Sequence, residues 1–202
     1  RLYDEHREAR HSGEVLFEND DLLKLSQKEM ERRRGSDIAM IFQDALSTLN
    51  PVLTIGYQLR EPMRIHNKGM SKKEATEKAI HLLRLVGIPE PEQRIRQYPH
   101  ELSGGMRQRV MIAISLACQP RLLIADEPTT ALDVTIQAQI MDLILELNQQ
   151  LQMGVMLITH DLAVVAETCT RAIVMYLGQV VEEASVEDLF QHPMHPYTQG
   201  LI

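Results

Sequence analysis

The stretch Leu102–Gln137, LSGGMRQRVMIAISLACQPRLLIADEPTTALDVTIQ, decides how the rest of the chain is read. Ser103, Gly104 and Gly105 lead into a helix expected from about Met106 to Cys118. Glycine there exposes bare backbone N–H groups, and a helix start of this kind binds anions, phosphate above all. Arg121–Ala125 is too short for a free helix and reads as a buried strand. Asp126 and Glu127 follow where that strand leaves the sheet, and Pro128 stops it continuing as a ladder partner. In open α/β sheets ligands sit beyond the carboxyl ends of strands, so two acids in that position mark a candidate site.

Working outward, Val155–Ile158 is another short apolar run, and it ends in Thr159-His160-Asp161. Ile38–Phe42 is a further buried-strand candidate and ends in Gln43. Each of these signals has a bland reading when taken alone. Acidic pairs are mostly solvated surface, a Gly-Gly can be a flexible cap, a lone His is more often structural, and Gln43 is an ordinary polar strand end. Their order and spacing argue otherwise. LSGGM, LLIADEP, TALD and ITHD follow one another within about sixty residues and resemble the ATP-binding-cassette (ABC) ATPase family.

The resemblance implies an α/β fold: a P-loop NTPase (RecA-like) ABC core over 1–53 and 120–202, with an inserted α-helical signature subdomain over 54–119. One family motif does not occur. No G-x-x-x-x-G-K-[ST] is present, twelve residues precede the strand expected at Gly13–Phe17, and the chain opens on Arg1. The expectation is therefore a chain that begins just after the phosphate-loop helix and lacks the N-terminal part of the fold.

The same resemblance implies roles. Asp126 would hold Mg²⁺ as the Walker B acid, with Gln43 of the Q-loop reaching Mg²⁺ and the attacking water. Glu127 would polarise that water, and His160 would bond the γ-phosphate and steady Glu127. Ser103, Gly104 and Gly105 would meet ATP held by a second ATPase subunit, and Asp133 would couple the two sites. Cofactors would be ATP and Mg²⁺. Partners would be a second ABC ATPase subunit, two integral membrane permease subunits and, indirectly, a solute-binding protein, with no nucleic acid. The place would be the cytoplasmic face of the bacterial inner membrane.

The segment Asp44–Pro51 resembles a form common in peptide and nickel importers, which usually carries Pro at the position of Ala45, and the tail HPMHPYT resembles that of peptide importers; the ABC family usually has Asp at the position of Thr170. Met106 is usual in the peptide-importer branch. A peptide-importer ATPase is the leading reading. A nickel importer, a regulatory ABC ATPase without membrane partners, and a non-catalytic half are the alternatives.

Composition agrees with one domain of 202 residues, 44% hydrophobic, with a net charge of −7 that argues against a general nucleic-acid surface. Cys118 and Cys169 lack metal-ligand spacing and read as reduced, buried thiols. No run reaches the ~18 apolar residues needed to span a bilayer. Local patterns give an edge strand at Glu14–Glu18, with Val15 and Phe17 on one face, and capping boxes at Ser26-x-x-Glu29 and Ser71-x-x-Glu74. The second box opens a helix with the apolar stripe Ala75, Ala79, Leu82, Leu83 and Val86, ended by Gly87 and Pro89. A helix is expected at Val134–Gln150 and another at Leu162–Cys169. Strands are expected at Val155–Thr159, Ala172–Met175 and Val180–Glu183, and the prolines beside His192 and His195 predict a loop.

Overall fold

The capping boxes set the first helices. Ser26 accepts the Glu29 N–H while the Glu29 carboxylate takes the Ser26 N–H, opening α1 (Gln27–Arg33); Gly35, at φ 81, turns the chain out of it. The computed structural model describes residues 12–43, 48–129 and 132–202. In the expected edge strand only β1 (Leu16–Phe17) forms, paired antiparallel with β2 (Asp20–Asp21). The turn at Glu18, φ 57, reverses the chain early, and Val15 and Leu16 are both exposed.

Strand β3 (Ile38–Ile41) leads towards an all-helical stretch: α2 (Ile55–His66), α3 (Lys72–Leu85), α4 (Pro91–Arg94), a 3₁₀ turn at Pro99–Glu101 and α5 (Gly104–Ser115). The stripe expected on α3 is its buried face; Ala75, Ala79, Leu83 and Val86 are fully enclosed. Helix α5 begins two residues before the expected start, because Ser103 in extended backbone is its N-cap and both glycines are helical. It ends at Ser115, short of Cys118. Gln119 precedes a proline, which disfavours the right-handed helix, and turns at φ 56 into the next strand.

Strand β4 (Leu122–Asp126) is followed by α6 (Val134–Leu151), β5 (Gly154–Ile158) and α7 (Leu162–Thr168). Strands β3, β4 and β5 pair in parallel with β4 in the middle, in the register Ile41↔Ala125 and Asp126↔Ile158. Alternation along the strands buries Ala39, Ile41, Leu123 and Ala125 in one cluster with Ile112 of α5 and Ile140, Ile144 and Leu147 of α6. The same cluster holds Leu59 and Leu83, so the helical stretch and the sheet share a core.

The chain closes with a hairpin of β6 (Arg171–Tyr176) and β7 (Gln179–Ser185), then α8 (Val186–Gln191) and α9 (Pro196–Leu201). Leu177 and Gly178 both have positive φ, as a two-residue hairpin turn with native twist requires. The expected tail loop forms at 192–195, and the chain is helical from Pro196. Proline at a first helical position loses no needed N–H, and His195 Nδ1 accepts the Tyr197 N–H at 3.1 Å. The thiols also differ from expectation: Cys118 and Cys169 are free but only half-buried, and partial burial pushes the Cys118 thiol up. Thr170 is exposed, as a surface change would be; Ala45 lies outside the described residues.

Glu182 ties this tail to β7. Its carboxylate accepts the Met194 N–H at 2.8 Å and the His195 N–H at 3.0 Å. The Thr198 side chain beside it and those two N–H donors hold its pKa below the ordinary 4.5. A depressed carboxylate contributes stability that is present above its unfolded pKa and lost as pH falls through the folded one. Glu182→Gln should therefore speed amide exchange at Met194 and His195 at pH 7. In the unaltered protein the same protection should fade only as pH drops below 4.5.

Candidate functional site

Three parallel strands end side by side, and the residues just past their ends converge. Gln43 follows β3 by two residues, Glu127 follows β4, and His160 follows β5 by two. Gln43 Nε2 donates to Glu127 Oε2 at 2.6 Å, and His160 Nδ1 lies 2.9 Å from Glu127 Oε1. Both carboxylate oxygens of Glu127 are thus engaged by side chains that come from opposite neighbours of β4. Towards an ionised carboxylate Nδ1 must carry the proton, which leaves Nε2 as the nitrogen directed to any further partner. Glu127 is 24% exposed and His160 82%, so the base of the cluster is sheltered and its rim is wet.

Glu127 is held in an uncommon conformation. Its φ is 43°, the left-handed region, which costs a non-glycine residue of order 1–3 kcal/mol and persists where the surroundings over-determine it. Its N–H donates to the Ile158 carbonyl at 2.9 Å, which prolongs the β4–β5 ladder by one bond. Beside it, Asp126 is the last residue of β4 and half-buried. Asp161, after His160, takes the Ala163 and Val164 N–H groups with Oδ1 and caps α7, while Oδ2 accepts from Gln137 of α6 at 3.3 Å. Neither Gln137 nor the Ile158 carbonyl stood out in the sequence. A backbone acceptor leaves no residue signature, and Gln137 is one glutamine among several on α6.

A second cluster forms where α5 meets α6. Ser103 Oγ accepts the Met106 N–H at 3.3 Å, and as a hydroxyl it can still donate to another group. The N–H groups of Gly104 and Gly105 occupy the first helical positions, where no intrahelical acceptor exists. Gly105 also has a packing reason to lack a side chain: a Cβ there would come 3.0 Å from Ile136 Cγ2. Asp133 is the N-cap of α6 and accepts the Ile136 N–H at 3.0 Å. The structure therefore gathers Gln43, Glu127 and His160 in one place, and Ser103–Gly105 beside the start of α6 in another. Among the described residues no group of three or more His, Cys, Asp or Glu could hold a metal ion unaided. No described helix is long and apolar enough to cross a membrane.

The family model described as ABC transporter matches residues 4–130. The chain belongs to the ABC transporter family. Its α/β fold is the ABC ATPase cassette, a P-loop NTPase fold. It is 33% identical to the ATP-binding cassette MJ0796, a bacterial ABC transporter cassette solved as a dimer, with a TM-score of 0.76 over 87% of this chain and 74% of that one. Among ABC relatives it is 60% identical to a probable peptide ABC transporter ATP-binding protein, y4tR, of Sinorhizobium fredii, over 94% of this chain and 56% of the relative. It is 58% identical to the dipeptide transport ATP-binding protein DppD of Haemophilus influenzae, over 96% of this chain and 59% of the relative. The chain thus spans a little over half the length of the curated ABC relatives it matches.

Removing the α5 cap tests the local geometry apart from any activity. Ser103→Ala should lower stability by about 1 kcal/mol, the usual cost of losing a serine N-cap, read from the denaturation midpoint.

Proposed function

We propose that the complete protein containing this chain binds and hydrolyses ATP to energise a bacterial importer of di- or oligopeptides. The observation that carries the reading is Glu127, clasped by Gln43 and His160 at the carboxyl ends of three parallel strands. In this reading Glu127 is the base that takes a proton from the attacking water, a role worth about 10²–10⁴ in rate. Gln43 fixes one of its oxygens and faces the same water. His160 fixes the other and turns Nε2 towards the γ-phosphate. Holding two oxygen acceptors at once requires the doubly protonated ring.

Mg²⁺ fits the donor set. Asp126 offers a carboxylate and Gln43 an amide oxygen at adjacent strand ends, and Mg²⁺ is commonly held by one or two carboxylates together with water and substrate phosphates. Bound there, it would neutralise charge developing on the phosphate oxygens. Ser103, Gly104 and Gly105 supply an anion seat for ATP held by a second ATPase subunit, and Asp133 lies where the two sites are coupled. Residues 54–119 act as the helical signature lobe on a core formed by 1–53 and 120–202. Two membrane permease subunits and, through them, a solute-binding protein complete the machine, with this subunit peripheral on the cytoplasmic face of the inner membrane. The names of the relatives speak of peptides, which supports that solute over nickel and over a role away from membranes.

Two experiments on the complete protein test this reading. Glu127→Gln keeps shape and hydrogen bonding but removes the base. Turnover should fall by about 10² or more while ATP binding survives; turnover within a few-fold of the unaltered protein would sink the assignment. In a mixed dimer where only this subunit carries Ser103→Arg, a photoreactive ATP should report loss of closure in the partner's pocket. Loss confined to this subunit's own pocket would refute the division between the two clusters.

A further inference from the structure

We infer that Gln108 is a positioning residue for Glu127, holding from α5 the turn that aims the carboxylate. The inference rests on the reading of Glu127 as the base. Gln108 lies in the second turn of α5, one turn after the Ser103–Gly105 seat, and is only 4% exposed. Its Nε2 donates to the Pro128 carbonyl, across twenty residues of sequence. That carbonyl belongs to the residue directly after Glu127.

The turn is gripped from two directions. Glu127 sits at φ 43, where an L-residue does not rest unaided, and Pro128 has no N–H with which to anchor the peptide. On one side of the turn the Glu127 N–H is held by Ile158 of β5; on the other the Pro128 carbonyl is held by Gln108. One anchor therefore comes from the sheet and the other from the helix that bears the anion seat. The next residue keeps that helix in place. Arg109 donates to the Val86 carbonyl at the end of α3, at 2.7 Å, and approaches Gln139 Oε1 of α6 at 3.4 Å. Gly87 gives the guanidinium room: a Cβ there would lie 3.0 Å from Arg109 Nη1. With α5 braced by Arg109, Gln108 presents a fixed donor to the turn.

Two variants of the complete protein separate positioning from packing. Gln108→Met keeps length and burial but has no donor. Gln108→Asn keeps the amide one methylene short of Pro128. Either should lower kcat about tenfold with KM for ATP within about twofold, the scale of one lost hydrogen bond. Each should also speed amide exchange at Glu127. In a Glu127→Gln background the same change should lower kcat by less than about twofold, because it acts through a residue already disabled. Equal losses in both backgrounds, or unchanged kcat with unchanged Glu127 exchange, would overturn the inference. If the Met variant does not fold, the Asn variant carries the same comparisons. Glu127→Gln turning over near the unaltered rate would instead remove the base itself, and amide exchange at Glu127 would still report whether Gln108 holds the turn.

Discussion

Strand β4 pairs in parallel with β3 on one side and β5 on the other, and that pairing sets every distance in the candidate site. The register Ile41↔Ala125 puts Gln43 level with Glu127, and Asp126↔Ile158 puts His160 one step beyond it. Because successive residues of a strand face opposite ways, a slip of one residue would turn Glu127 away from both partners and expose Leu123 and Ala125. Burial of those two side chains under α5 and α6 therefore fixes the register, and the register fixes the chemistry. The apolar side of the strands and the polar groups past their ends are parts of one constraint.

Two residues named for chemistry also hold the fold locally. Ser103 and Asp133 cap the helices that follow them, and each cap satisfies N–H groups that a helix start otherwise leaves open. A cap places its own side chain at a helix N-terminus, the electropositive end, so the group that stabilises the helix also stands where an anion is attracted. At these positions structural and functional pressures point to the same residue types. Glu127 is different. Its left-handed φ is uncommon for a residue with a side chain, and contacts from β3, β5 and α5 keep it there. Strain maintained from three sides is what keeps two hydrogen-bonding partners on one carboxylate.

Short-range signals were legible where the physics is short-range. Ser26-x-x-Glu29 and Ser71-x-x-Glu74 close their own hydrogen bonds within four residues, so both helix starts fall where the sequence put them. The apolar runs at Ile38, Leu122 and Val155 form strands within a residue of expectation, since brief runs flanked by polar groups have few other ways to bury themselves. The prolines beside His192 and His195 gave the loop at 192–195 but hid the helix that follows it, because proline is read as a breaker. At the first position of a helix it loses no hydrogen bond, and only the Glu182 carboxylate, a strand away, reveals that the helix is anchored.

The sequence by itself determined the family, the α/β class and the identity of the acids, glycines and histidine at strand and helix ends, because these follow from local periodicity and from motifs in a fixed order. It could not determine that Gln43 and His160 close on opposite oxygens of Glu127, across 84 and 33 residues. Nor could it set the left-handed turn at Glu127, or the reach of Gln108 to a backbone carbonyl. Those are long-range contacts, several of them to carbonyl groups that every residue carries alike. Only the parallel register of β3, β4 and β5, with α5 packed against it, decides which carbonyl and which side chain meet.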